Sequence, residues 1–110
     1  MDTVIVATPD MFGRLLGRVF DAKYFIENPN IRVGMCEAIF GSDFMNQFYG
    51  HTPLIRESEG FNNCEIQPDH RTIRKIGWLD KTVGIMGNVM EPDSELYDPV
   101  GPRSMMNLAL

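Results

Sequence analysis

Cysteine is scarce in this chain: Cys36 and Cys64 are the only two in 110 residues. One pair does not make the disulfide framework on which small secreted domains depend, so both thiols are expected to be free in a reducing compartment. No basic N-terminal stretch leads into an apolar run with a small-residue cleavage site, so no export signal is read. No apolar run approaches the ~20 residues that a membrane-spanning helix requires. The sequence therefore reads as cytoplasmic in type, with no membrane partner.

Motifs that announce chemistry are also missing. There is no glycine-rich loop ending in Lys-Ser/Thr and no strand followed by GxGxxG, so no phosphate or dinucleotide cradle is expected. Cys36, His51, Cys64 and His70 are the residue types that bind zinc, but none are paired at the short spacing of a zinc site. The acids Glu91, Asp93, Glu95 and Asp98 lack the glycine and terminal glutamate of a calcium loop. Cys64, Asp69 and His70 hold the ingredients of an activated thiol, yet they lie on one short stretch, whereas such partners usually come from separate elements. No catalytic residue, metal or cofactor is assigned on these grounds, and the chain reads as non-enzymatic.

What is present is enough to fold. Hydrophobic residues make up 44% of the chain, too many for a disordered polypeptide, and 110 residues suit one domain. The formal charge of −5 disfavours nucleic acid as a partner. The charge is unevenly spread, however. Residues 71–81 hold Arg71, Arg74, Lys75 and Lys81 against Asp80, whereas residues 91–103 hold four acids against Arg103. Arg71-Thr72-Ile73-Arg74-Lys75 with Trp78 is the stretch best suited to stacking on bases, and its competing reading is a solvated strand face with Trp78 in the core.

The β-branched run Thr3–Ala7 predicts a strand. Thr8-Pro9-Asp10 has the chemistry of a helix start, and Phe12, Leu15, Leu16, Val19 and Phe20 then fall on one helical face ending near Asp21. Gly13 and Gly17 would flank that stripe. Asn28-Pro29-Asn30 predicts a turn, and the alternation of Ile31, Val33 and Met35 a strand. Ser42-Asp43 suggests a second helix, with Phe44, Met45, Phe48 and Tyr49 inward and Gly50 as the stop. A short strand is expected near Cys64–Ile66, then a hairpin of Thr72–Leu79 and Thr82–Met90 around Asp80-Lys81.

The expected fold is α+β: one or two short helices on a small, mainly antiparallel sheet over residues 1–90, with an extended arm over 91–110. A mostly β domain with one helix is the alternative. Pro92, Pro99 and Pro102 favour an extended course for the arm. Its apolar residues Tyr97, Met105, Met106, Leu108 and Leu110 are the candidate subunit interface, because left in water they would be an aggregation liability. This profile suggests a structural or assembly protein, such as a viral (phage) virion accessory or capsid-cementing protein, with other protein subunits as partners. The alternative is a small intracellular enzyme or ligand-binding domain with a site at a subunit boundary.

Overall fold

Thr3–Pro9 forms β1, with Val4, Val6 and Thr8 buried at alternate positions as a strand of period two requires. The computed structural model describes residues 1–10, 12–36, 40, 45, 63–92, 94–98 and 101–110. Further strands are β2 (Leu15–Asp21), β3 (Val33–Cys36), β4 (Asn63–Pro68), β5 (Arg74–Lys75) and β6 (Thr82–Met90). Two short helices accompany them among the described residues, α1 (Ala22–Glu27) and α2 (Pro102–Ala109). The helix expected after Ser42-Asp43 lies outside the described residues, Met45 apart, as does His51.

The sheet runs β2-β1-β6-β4-β3, and the short β5 pairs with the first half of β6. Its centre is parallel: β1 pairs with β6 in the register Val4↔Val83 and Val6↔Ile85. The other pairings are antiparallel, so the α+β class holds but the sheet is mixed rather than mainly antiparallel. Turn signals such as Asp80-Lys81 are local, whereas the β1–β6 pairing joins the two ends of the sheet-forming chain and leaves no local trace. The expected hairpin keeps its second arm, but its first shrinks to Arg74–Lys75: Thr72 is taken into the 3-10 turn over His70–Thr72, and beyond β5 the Leu79 N–H donates to the Ile76 carbonyl at 3.3 Å and closes a turn. The outer strands also approach each other. Arg18 of β2 and Gly34, Met35 and Cys36 of β3 line one groove, so the sheet curls into a nearly closed barrel.

One face carries the core. Val4, Val6, Ile85, Val89, Ile66, Cys64 and Val33 are buried across four strands, and Phe25 and Ala22 of α1 cover them. Asp21 starts α1 by accepting bonds from the backbone N–H groups of Lys23 and Tyr24 at 2.8 and 3.4 Å.

The helix expected from Pro9 to Asp21 is instead a turn and the strand β2. The Asp10 carboxylate accepts bonds from the Phe12 and Arg14 N–H groups at 2.8 and 2.9 Å, and the Asp10 N–H donates to the Arg14 carbonyl, which reverses the chain. At Gly17 a Cβ would overlap the Val6 carbonyl oxygen, so only glycine lets β2 lie this close to β1. The apolar doublets Leu15-Leu16 and Val19-Phe20 satisfy either period. In the strand, Leu16 and Phe20 turn half-inward, while Leu15 and Val19 are 61% and 67% exposed.

The C-terminal segment is likewise not an extended arm throughout. Pro102 occupies the first helical turn, where its missing N–H costs nothing and its fixed φ suits the helix, and Met105, Met106, Leu108 and Ala109 are good helix formers. Gly101 lies against β6, where a Cβ would stand 2.8 Å from the Val89 side chain. Tyr97 bridges to Met90 in antiparallel fashion.

Candidate functional site

The best-organised polar cluster forms where β4 ends. Pro68 closes the strand, and the Asp69 N–H donates to the Met86 carbonyl in the middle of β6 at 2.8 Å. Asp69 then caps the single 3-10 turn over His70–Thr72 by accepting from the Arg71 N–H at 3.1 Å. The Thr72 hydroxyl donates to the Asp69 carbonyl at 2.7 Å and accepts from the Met86 N–H at 2.8 Å. Both ends of this turn are therefore tied to the central strand.

Two arginines converge on the buried Asp69 carboxylate. Arg71 donates through Nε and Nη2, both at 3.0 Å, a two-point grip of the strong charge-assisted kind. Arg103, from the first turn of α2, donates through Nη2 at 3.4 Å. The side-chain bond from Arg71 outweighs the upward push of burial and holds the Asp69 pKa down at about 2. Asp69 in turn raises the Arg71 pKa, first through this side-chain bond and then through its charge.

A second buried carboxylate, Asp10, is satisfied within its own turn. Burial pushes its pKa up, but the bonds from Arg14 and the Phe12 N–H prevail, leaving it below the usual range. On the acidic segment, Arg32 reaches the Ser94 carbonyl and pairs with Glu95 at 3.0 Å.

Among the described residues, four buried polar atoms have no hydrogen-bond partner: Thr8 Oγ1, Asn88 Oδ1, Arg103 Nη1 and Ser104 Oγ. Two of these belong to the first turn of α2. Beside α1 lies an apolar groove of about 370 Å³, lined by Val4, Phe25, Ile26, Ile73, Ile85 and His70 among others. The His70 ring packs at 6.0 Å from that of Phe25.

The residues singled out by sequence are dispersed by the fold. Cys64 is buried on β4 and Cys36 half-buried on β3. Asp69 is committed to Arg71 and Arg103, and His70 to the Phe25 groove, so Cys64, Asp69 and His70 form no relay. Among the described residues, no three of His, Cys, Asp and Glu group together to hold a metal ion. Trp78 is 84% exposed, so it does not belong to the core. Tyr97, Met105, Met106 and Leu110 are exposed, and Leu108 lies within α2. Among the described residues, no helix is long and apolar enough to cross a membrane.

Arg103 and Ser104 carry no signal in the sequence. A local signal exists only for the Asp69–Arg71 half of the cluster, an Asp two residues before an Arg at a strand end. Nothing marks Arg103, 34 residues away, as its third member.

No family model matches the chain. It is 28% identical over 115 residues to a γ-glutamylethanolamide synthetase of Streptomyces coelicolor, an alignment covering 100% of this chain and 24% of that protein. It is also 28% identical over 104 residues to type-1 glutamine synthetase 2 of Dictyostelium discoideum, covering 94% of this chain and 20% of the relative. The chain thus spans about a quarter or less of the length of the curated relatives it matches. These similarities overturn the expectation of a virion accessory or capsid-cementing protein, because both relatives are synthetases. They also count against the non-enzymatic reading. The lack of recognised motifs does not distinguish an enzyme-related domain from a capsid component.

Proposed function

We propose that this chain acts as the sheet domain of a ligase related to glutamine synthetases, completing a ligand site at a boundary with another protein region or subunit. One observation carries this reading: nearly the whole chain aligns with each of two such enzymes, yet with only a quarter or less of either. On this reading the reacting groups come from across the boundary. The buried acids Asp10 and Asp69 are already engaged with Arg14, Arg71 and Arg103, so they serve structure before chemistry. Amide formation in water competes with hydrolysis, and a rigid sheet that covers a site helps to exclude water. The exposed apolar residues Tyr97, Met105, Met106 and Leu110, read from sequence together with Leu108 as a subunit interface, are the boundary surface in this proposal.

The test is a chimera of the Streptomyces γ-glutamylethanolamide synthetase in which this chain replaces the aligned segment. Formation of γ-glutamylethanolamide by the chimera, and none by the enzyme lacking the segment, is the expected result. A folded chimera, assembled like the parent and without product, would count decisively against the reading.

A further inference from the structure

We propose that the N-terminus of α2, with Arg103, Ser104 and Arg71, binds a phosphate-class oxyanion. The first turn of a helix leaves backbone N–H groups without partners inside the helix, and here they belong to Arg103 and Ser104, since Pro102 has none. Gly101 occupies the cap position, and no side chain makes a capping bond there. An anion is the natural complement of such a terminus.

Ser104 supplies an independent observation. Its hydroxyl is without a partner in a residue only 3% exposed, although buried polar groups are normally bonded. The oxygen lies 3.4 Å from the place a Cβ on Gly101 would occupy, so it points back at the cap. Thr8 Oγ1, wholly buried on the strand β1 against which α2 packs, is also unpartnered.

Arg103, in the same helical turn, adds a further donor without a partner. One arm of its guanidinium, Nη2, is held by Asp69, and Nη1 is buried without a partner. Asp69 thereby fixes Arg103 and Arg71 on one carboxylate, which pre-orders two flexible cations before a ligand arrives. Two backbone N–H groups, a hydroxyl and a guanidinium N–H would occupy all of the roughly four acceptor positions of a planar carboxylate, whereas phosphate offers more, spread over a tetrahedron. These donors suit a tetrahedral oxyanion whose several oxygens each accept bonds.

The site is not a basic patch. Asp69 accepts bonds from both Arg71 and Arg103 and offsets part of their charge, so attraction comes from directed donors and the helix terminus. This inference goes beyond the ligase reading and does not rest on it, because it concerns residues of this chain alone.

The experiment titrates inorganic phosphate into the whole chain at constant ionic strength, read by calorimetry and by the thermal midpoint, with chloride as control. Saturable binding of one phosphate per chain and a raised midpoint are expected. Ser104→Ala removes a hydroxyl that is unpartnered in the free protein. It should fold at least as stably without phosphate and bind phosphate about tenfold more weakly, the scale of one bond to a charged ligand. Arg103→Lys keeps the charge but loses the fork, and should weaken binding in the same direction. Glutarate, in a parallel arm, should bind more weakly than phosphate. Absence of saturable phosphate binding, unchanged affinity in both variants, or tighter binding of glutarate would each overturn the proposal.

Discussion

Asp69 shows how one side chain ties distant segments together and sets a pH dependence. Its pKa lies at about 2 in the folded chain, below the ordinary 3.8, first because of the Arg71 side-chain bond. A carboxyl depressed on folding contributes stability that is present above the unfolded pKa and lost as pH falls through the folded one. Asp69→Asn should therefore destabilise the protein at neutral pH by about 1–3 kcal/mol, the cost of weakening a charged, buried bonding group. In denaturant titrations the gap between wild type and variant should narrow as pH falls from about 4 to about 2, the window between the unfolded and folded pKa. A gap that stays constant across that window would place the origin of the effect elsewhere. At this scale the sequence is half legible. Asp69 and Arg71 are two residues apart and form a local turn, whereas the bond from Arg103 exists only because α2 returns to the end of β4.

Among the elements, β2 gives the clearest lesson. Phe12, Leu15, Leu16, Val19 and Phe20 fit a helical face, and Pro9-Asp10 resembles a helix start, but the Asp10 turn and the close approach at Gly17 put the segment in the sheet. The two readings make opposite predictions for Val19. A core helix would lose much stability on Val19→Ala, whereas the exposed edge position in β2 predicts a change within about 0.5 kcal/mol. Ile66→Ala, at a fully buried position on β4 between β3 and β6, should instead cost about 2–5 kcal/mol. Equilibrium unfolding of the two variants distinguishes the arrangements directly, and a larger loss at Val19 than at Ile66 would contradict this topology. Strands β1, β3, β4 and β6 are legible because their alternation or β-branching is local. The nature of β2 and α2 is not, because the first carries a pattern with two solutions and the second begins at a proline that suits a helix start as well as an extended chain.

For the whole molecule, the exposed side of α2 matters most under the ligase reading. Met105 and Met106 are each 60% exposed, so Met105→Glu with Met106→Glu should leave the stability of the isolated chain within about 1 kcal/mol. In the Streptomyces chimera the same pair should reduce assembly and product together, as measured by native mass and by γ-glutamylethanolamide formation. Unaltered assembly would remove α2 from the boundary. Composition alone determined that the chain folds, that it carries few cysteines and that its net charge is acidic, because these are sums over residues and independent of arrangement. Local patterning determined most strands and several turns, since hydrogen bonding and side-chain alternation act over a few residues. The tertiary structure alone decided three things: the parallel pairing of β1 with β6, the curl that brings β2 near β3, and the meeting of Arg71 and Arg103 on Asp69. Each depends on segments far apart in the chain, where the choice of partner follows the summed burial of a whole sheet face and not any residue's neighbours.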